Sequence, residues 1–165
     1  MIRLLLLGAL LMFSGLSEAK VAVGQPAPNM LGKNAKTGAE VKLANFTGKI
    51  TVLHFWASWC DYCYKTLPAM EFMQDQLGQD NLQVISIAVK DDAKTVKEIT
   101  AEMKDMAMIS SVDKSGKVLE SFGDDYLPNI WIIGRDGKVI SQGGVKDDEE
   151  LKAAVKKIEA AIKAK

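Results

Sequence analysis

Two nearly continuous apolar runs stand out in the middle of the 165-residue chain. They are Ile50–Ala57 (ITVLHFWA) and Leu82–Val89 (LQVISIAV), and both are rich in β-branched side chains. A strand buried on both faces of a sheet has this pattern, whereas a strand with one solvated face alternates apolar and polar residues. The pattern therefore predicts two central strands. A shorter run, Asn129–Ile133, predicts a third strand, and Gly134–Gly137 predicts a hairpin turn into a strand over Lys138–Gln142.

A first helix is predicted directly after the first apolar run. It starts at Cys60, which places Cys60 and Cys63 on one helical turn, and it ends at Leu77 because Gly78 is a common helix terminator. Pro68 lies inside this helix, and since proline cannot donate a main-chain hydrogen bond, we expect a kink there.

Two further helices are predicted from apolar residues that recur every three or four positions. One covers Ala93–Met106, with Asp91 and Asp92 as candidate caps at its start. The other opens with Asp147–Glu150, whose acidic side chains suit the positive end of the helix dipole. Its apolar face consists of Leu151, Val155, Ile158 and Ile162. Two further apolar segments are too short for a prediction of helix or strand. They are Met106–Val112 and Val118–Phe122.

The part of the chain before the first strand has a different composition. Residues 22–47 are rich in Gly, Pro and Asn, with a short apolar alternation around Val41 and Leu43. We expect a small hairpin here, with its turn at Lys36–Gly38. The order hairpin, strand, helix, strand, helix, strand hairpin, helix predicts an α/β fold, with a central mixed β-sheet flanked by helices and closed by an antiparallel edge.

Residues 1–19 have the composition of a secretory signal. A basic tip, Met1–Arg3, precedes the apolar segment Leu4–Leu16, and small residues follow it. The apolar segment is shorter than the roughly 20 residues needed to span a bilayer, so we predict a signal peptide that is cleaved near Ala19. An uncleaved anchor in the inner membrane is the alternative. In either case we expect residues 20–165 to form one domain in the periplasm or another extracytoplasmic compartment.

Composition argues against several functions. The chain has 21 Lys and Arg against 21 Asp and Glu, so no basic excess points to nucleic acid. It has only two cysteines and one histidine, whereas a zinc site needs four ligands and would have to recruit carboxylates or a second chain. Haem attachment needs a histidine directly after Cys63, where this chain has Tyr64. We therefore expect no metal and no cofactor, and we also expect a monomer.

The two cysteines form the motif Cys60-Asp61-Tyr62-Cys63. Two intervening residues allow the sulfurs to bond across a helical turn. A helix start at Cys60 would stabilise a thiolate there, and the thiolate is the species that attacks a disulfide. Cys63 is then placed to resolve the mixed disulfide, so the motif predicts thiol–disulfide exchange. An inert structural disulfide is the alternative, although so short a loop adds little to stability.

The residues around this motif resemble the thioredoxin superfamily, in particular its exported TlpA/ResA-like branch. The matching segments are Phe55–Cys60 with Cys63 (FWASWCxxC), Pro68, Leu127-Pro128, Gly134–Gly137 (GxDG) and Gly24–Pro28 (GQPAP). The resemblance covers residues 22–163 and implies a thioredoxin fold with an N-terminal hairpin extension and a central insertion between Val89 and Leu127. It also implies a thiol:disulfide oxidoreductase with a Cys60–Cys63 disulfide. Its partners would be oxidised protein or peptide substrates, apocytochrome c among them, and a membrane thiol-disulfide electron donor.

The resemblance further implies that Pro128 is cis and faces the two cysteines. The backbone of Leu127 would then be free to pair with an extended substrate peptide. An ordinary trans proline at the start of a strand is the alternative. Trp59 and Tyr62 put aromatic surface around Cys60, and we expect them to bind substrate together with Leu127 and Pro128.

Two residues are candidates for tuning the cysteine pair. His54 stands six residues before Cys60, where thioredoxins resemble one another in carrying a buried aspartate that moves protons for the second cysteine. Imidazole can do the same near neutral pH, but a neutral buried histidine held by one hydrogen bond fits the sequence equally well. Asp61 adds a negative charge beside the Cys60 thiolate, which predicts a modestly reducing couple. Thr66 stands where the branch often has a glutamate.

Several functions compete for this sequence. The leading hypothesis is an exported reductase of disulfides in envelope proteins. A disulfide-forming oxidase or isomerase would use the same chemistry, and a peptide-binding, chaperone-like module would carry the motif without catalysis. A peroxidase is disfavoured because peroxiredoxins, which share this scaffold, have a threonine or serine three residues before the reactive cysteine, where this chain has Ala57.

Overall fold

A seven-stranded sheet forms the centre of the described part of the molecule. The computed structural model describes residues 20–78, 80–101, 103 and 107–164, so the predicted signal segment lies outside the described residues. The strands are β1 (Met30–Asn34), β2 (Glu40–Lys42), β3 (Ile50–Trp56), β4 (Leu82–Val89), β5 (Ile109–Asp113), β6 (Asn129–Ile133) and β7 (Val139–Gly144). Their order in the sheet is β2-β1-β5-β4-β3-β6-β7.

Strands β3 and β4 form the parallel centre of this sheet, and every residue of both strands is buried. Strand β5 continues the sheet in parallel beside β4. The remaining strands, β1 and β2 on one side and β6 and β7 on the other, run antiparallel to their neighbours. The mixed α/β sheet predicted from the apolar runs is confirmed, including the N-terminal hairpin and the antiparallel edge.

The helices of the described residues are α1 (Cys63–Leu77), α2 (Ala93–Thr100), α3 (Lys117–Ser121) and α4 (Asp148–Lys163), and a 3-10 turn covers Leu43–Phe46. The predicted helix start at Cys60 is wrong, because α1 begins at Cys63. The chain before it folds into two tight turns. In these turns the Cys60 N–H donates to the Ala57 carbonyl at 3.1 Å, and the Cys63 N–H donates to the Cys60 carbonyl at 3.0 Å. None of the described helices has the length and hydropathy of a membrane span.

Helix α2 ends at Thr100, earlier than the predicted end at Met106. After it, the N–H groups of Ala101 and Met103 donate to carbonyls three residues back, those of Glu98 and Thr100. Bonds of this spacing tighten the chain out of the α-helical repeat and end the helix. Met106 itself lies outside the described residues.

The two faces of the sheet carry separate apolar cores. Along β3, Val52 and Trp56 belong to the core beneath α1 and α4, whereas Leu53 and Phe55 belong to the core beneath α3. Side chains alternate between the faces of a strand, so His54 points to the same face as Val52 and Trp56. A buried histidine is therefore placed under the helix that begins with the second cysteine.

Candidate active site

The two cysteines lie at the junction between β3 and α1, where a disulfide bond joins them. Their Cα atoms are 5.3 Å apart. Cys63 is fully buried, whereas Cys60 is half-buried and follows Trp59, whose side chain is 64% exposed. This difference makes Cys60 the accessible sulfur of the pair and Cys63 the shielded one.

A buried carboxylate holds the chain just before Cys60. Asp91, which follows β4, is only 8% exposed. One of its oxygens accepts the Ser58 N–H at 2.7 Å, and the other accepts the Ser58 hydroxyl at 2.6 Å. Both Asp91 and Asp92 are candidate helix caps in the sequence, but it is Asp92 that caps α2, by accepting the Thr95 N–H at 2.8 Å. Asp91 instead joins the end of β4 to the turn that carries the cysteines.

Tyr62, between the two cysteines, is tied to helix α4. Its hydroxyl donates to Asp148, in the first turn of α4, at 2.8 Å. Partial burial of the ring, the bond to Asp148 and the nearby charges of Asp147 and Glu150 raise the pKa of Tyr62 from 10.0 to about 12. The Lys65 ammonium lies 5.2 Å from the centre of the Tyr62 ring, within cation–π range. The aromatic side chain expected to contact substrate is thus also a link between two helices.

His54 is fully buried and makes one hydrogen bond. Its Nε2 lies 2.9 Å from the hydroxyl oxygen of Thr66, and that hydroxyl donates to the Cys63 carbonyl at 3.0 Å. Since a hydroxyl has one proton to donate, the hydrogen-bond pattern assigns the proton to Nε2, which donates to Thr66. Burial lowers the pKa of His54 from 6.5 to about 3, so the ring is neutral at neutral pH.

The other ring nitrogen of His54, Nδ1, is buried and has no hydrogen-bond partner among the described residues. On β4, Ser86 stands directly opposite His54. Its buried hydroxyl also makes no hydrogen bond to the described residues. The ring is therefore neutral and held by one hydrogen bond, as one interpretation of the sequence states. It also keeps a free lone pair, which the proton-transfer interpretation requires.

The peptide bond between Leu127 and Pro128 is cis, as the resemblance implies. It leads into β6, whose first residue, Asn129, pairs with Phe55 near the end of β3. This antiparallel pairing places Leu127 and Pro128 at the same end of the sheet as the cysteines. Leu127 and Trp59 line a cleft of about 630 Å³. Its other walls include Lys90, Leu119, Glu120, Asp124 and Asp125.

Asp61 is exposed, and its carboxylate has no hydrogen bond or ion pair among the described residues. The negative charge that the sequence places beside Cys60 therefore lies in solvent. Water and salt screen a charge in this position, so its influence on the thiolate is weaker than that of a buried carboxylate at a similar distance.

Reasoning from the sequence assigns no role at the cysteine pair to Asp91 or to Asp148. It places Asp148 only at the start of α4, and the bond from Tyr62 to Asp148 joins residues 86 positions apart. Asp91 carries a usable signal, because it stands two residues after a buried strand. The carboxyl ends of parallel neighbouring strands meet at one edge of a sheet, and ligand and catalytic sites form there. Residues that follow β3 and β4 are therefore expected to meet, and Ser58 and Asp91 do.

Comparisons with known proteins agree with this geometry. The AhpC/TSA family profile matches residues 23–142. The thiol-disulfide oxidoreductase ResA of Bacillus thuringiensis subsp. konkukian is 30% identical over 142 residues, which cover 86% of this chain and 81% of the relative. A crystal structure from Chlorobium tepidum, provisionally named thiol:disulfide interchange protein DsbE, has a TM-score of 0.77 and 28% identity. The match covers 87% of this chain and 99% of that one.

A solution structure from Bacteroides thetaiotaomicron, provisionally named protein disulfide isomerase, has a TM-score of 0.75 at 22% identity and covers 87% of this chain and 92% of that one. At this identity the likeness concerns the fold alone. Together these likenesses confirm the thioredoxin fold and the ResA-like resemblance predicted from the residues around Cys60 and Cys63. The chain belongs to the AhpC/TSA family and is a thioredoxin-fold thiol-disulfide oxidoreductase similar to ResA.

Proposed function

We propose that the protein is an exported reductant of disulfide bonds in extracytoplasmic proteins, with Cys60 as the nucleophile and Cys63 as the resolving cysteine. The observation that supports this assignment is the difference in burial, since Cys63 is fully buried and Cys60 is only half-buried. A nucleophile has to reach a sulfur on another protein, whereas the resolving cysteine has to reach only Cys60.

The reaction starts from the reduced pair. The Cys60 thiolate attacks one sulfur of the substrate disulfide and forms a mixed disulfide, and the other substrate sulfur leaves as a thiolate that takes up a proton. Cys63 then loses its proton and attacks the Cys60 sulfur, which releases the second substrate thiolate and forms the Cys60–Cys63 disulfide. Two electrons pass to the substrate, and a dithiol donor at the membrane reduces the pair again by the same exchange.

His54 is the proposed acceptor of the Cys63 proton in the second step. A pKa of about 3 makes the isolated buried ring a weak base. A thiolate on Cys63 changes this balance, because the buried imidazolium then has a counter-charge that favours its charged form. The bond from Nε2 to Thr66 leaves Nδ1 as the nitrogen that accepts the proton.

The substrate is proposed to lie in the cleft beside Trp59. The exposed Trp59 ring and Leu127 offer apolar surface at the cleft wall, next to Pro128 at the start of β6. An extended peptide can pair with main chain exposed in such a place, while side-chain pockets select among sequences. Oxidised envelope proteins, apocytochrome c among them, are the substrates to test. A peptide-binding module without catalysis would bind such peptides and leave their disulfides intact.

Trapping of the mixed disulfide, alkylation of the two thiols, equilibration with glutathione and cell fractionation test the proposal. With an oxidised substrate, Cys63→Ser should accumulate a mixed disulfide through Cys60, and Cys60→Ser should accumulate none. Equal alkylation rates for the two thiols of the reduced wild type would overturn the assignment of the nucleophile.

Equilibration of the Cys60–Cys63 pair with glutathione tests the direction of electron flow. A reduction potential on the reducing side of glutathione supports the reductase, whereas a potential near those of the strong periplasmic oxidants supports an oxidase or isomerase. Fractionation of cells that express the full chain, with the mass of its N-terminus, tests export and cleavage after Ala19.

A further inference from the structure

A strained residue precedes the buried carboxylate that holds the cysteine turn. Lys90 has a φ of +57°, and among the described residues no other non-glycine residue has a positive φ. Side chains disfavour this left-handed conformation, so it persists only where surrounding contacts hold it. The Lys90 N–H donates to the Asp113 carbonyl at 2.8 Å, which fixes the turn to β5. The next residue is Asp91, whose carboxylate reaches across to Ser58.

Ser58 is held through all three of its polar groups. Its N–H and its hydroxyl both donate to Asp91, and its carbonyl accepts the Tyr64 hydroxyl at 3.0 Å. Hydrogen bonds to an ionised carboxylate are shorter and stronger than neutral ones. Cys60 lies two residues further along, so the position of Ser58 sets where the Cys60 sulfur lies relative to Cys63.

The burial of Asp91 distinguishes it from the other charged groups around this turn. Asp61, Lys65, Lys90 and Asp148 are exposed. Asp124, on the wall of the cleft beside Trp59, is shielded, but it is paired with the Lys20 ammonium at 2.7 Å. Solvent and salt screen exposed charges, whereas a buried carboxylate acts on a nearby charge through a less polarisable medium. The Asp91 carboxylate is buried, bonded to Ser58 and without an ion pair among the described residues, so its charge is less screened than the exposed ones.

We propose that Asp91 is a positioning residue for thiol–disulfide exchange: its carboxylate holds the turn that carries Cys60, and its charge disfavours the Cys60 thiolate relative to the disulfide. A less stable thiolate makes the couple more reducing, since stabilisation of the thiolate is what makes such a pair an oxidant. This inference rests on the proposed role of Cys60 as the nucleophile.

The charge is tested by Asp91→Asn, with Asp92→Asn as the matched control. Asparagine at position 91 keeps an acceptor for the Ser58 N–H and removes the charge. The same change at exposed Asp92 removes a charge one residue away and keeps the helix cap, because asparagine caps a helix as well as aspartate does. We expect Asp91→Asn to lower the pKa of Cys60, read from the pH dependence of its alkylation, by about one unit. It should also shift the equilibrium with glutathione up to about tenfold towards the reduced form. Asp92→Asn should leave both quantities near their wild-type values.

The positioning effect is tested separately by Ser58→Ala, which retains the carboxylate and the main-chain bond and removes the hydroxyl bond. We expect Cys63 to resolve the mixed disulfide severalfold more slowly, with little change in the pKa of Cys60. If Ser58→Ala resolves the mixed disulfide at the wild-type rate, the positioning effect is contradicted. If Asp91→Asn leaves the pKa of Cys60 and the equilibrium with glutathione unchanged, or if Asp92→Asn changes them equally, the electrostatic effect is contradicted. If Cys63 is alkylated before Cys60 in the wild type, the proposed nucleophile fails as well. If Cys60 reacts first and the Asp91 and Ser58 variants behave as wild type, only this inference fails.

Discussion

The Tyr62 hydroxyl donates a hydrogen bond of 2.8 Å to Asp148, which joins the segment between the two cysteines to the first turn of α4. Asp91 holds the same turn from the other side, through Ser58. Cys60 lies between these two attachment points. One bond runs to helix α4 and the other to the loop after β4, so the position of the accessible sulfur is set by the fold and not by local chain conformation alone.

Tyr62 gives a first prediction, at alkaline pH. Its pKa is about 12 in the folded protein, against an ordinary value of 10.0. The folded state therefore binds this proton more tightly than the unfolded state, and the resulting stabilisation is complete below pH 10 and lost as the pH rises through about 12. In Tyr62→Phe this contribution is absent, so its free energy of unfolding should fall less steeply in that range. Urea titrations at a series of pH values measure the slopes, and Tyr126→Phe is the control. Indistinguishable slopes for the two variants would contradict the prediction.

His54 gives the opposite dependence, at acidic pH. Its pKa is about 3 when folded and 6.5 when unperturbed, so the unfolded state binds more protons between these values. The contribution of His54 to stability is complete above pH 6.5 and is lost as the pH falls towards 3. One proton corresponds to a slope of about 1.4 kcal/mol per pH unit. The difference in free energy of unfolding between the wild type and His54→Asn, which does not titrate, should shrink by up to this slope as the pH falls. Parallel pH curves for the two proteins would contradict burial of a neutral imidazole.

The same variant tests proton transfer to His54. If Nδ1 accepts the Cys63 proton, His54→Asn should slow resolution of the mixed disulfide by at least about tenfold, because a positioned base contributes that much or more. Alkylation of Cys60 should be unchanged. Thr66→Val is the control, since it removes the hydrogen bond to the ring and keeps the base. Equal slowing in both variants would mean that the ring only supports the Cys63 carbonyl through Thr66.

The parts of the fold that are predicted best from the sequence are the strands that are buried on both faces. Strands β3 and β4 are buried on both faces, so their sequences are mostly apolar and lack the regular polar alternation of a half-exposed strand. The predicted bounds of β4 match the observed ones. The end of α2 was predicted poorly, because the apolar spacing continues to Met103 while the main-chain bonds change at Ala101. Periodicity records which face is buried, but it does not record where the hydrogen-bond pattern tightens.

For the site, local pattern predicted the cysteine pair but not what holds it. The two-residue spacing and the preceding buried strand locate Cys60 and Cys63. The bond between Ser58 and Asp91 joins residues 33 positions apart and depends on the pairing of β3 with β4. A contact of that kind has no local signature, and it becomes predictable only when the parallel register of the two strands is considered.

Asp61 gives a prediction that the structure modifies. Removal of its charge in Asp61→Asn should lower the pKa of Cys60 and make the couple more oxidising, as the sequence suggests. Since Asp61 is exposed, the effect should be smaller than that of Asp91→Asn. It should also largely disappear at about 1 M salt, where the screening length is about 3 Å, while the effect of the buried Asp91 persists. Alkylation of Cys60 against pH at two salt concentrations measures both, with Asp75→Asn on the far part of α1 as the control. An effect of Asp61→Asn that is independent of salt would show that its carboxylate is not solvated as described.

Trp59 gives the last prediction, which separates substrate binding from chemistry. Its side chain is 64% exposed at the cleft wall. Phe72 on α1 is exposed to a similar extent, 63%, and is not among the residues that line the cleft. Trp59→Ala should therefore lower kcat/KM for an oxidised protein substrate by about tenfold, corresponding to about 1.4 kcal/mol, because exposed tryptophans contribute strongly to protein recognition. Phe72→Ala should leave it unchanged. With a small-molecule disulfide, which cannot span the cleft, Trp59→Ala should react with Cys60 at nearly the wild-type rate. A similar loss of rate with both substrates would show that the Trp59 ring maintains the Cys60 turn. A group that only binds the polypeptide chain of a protein substrate cannot affect a small-molecule disulfide, which has no such chain.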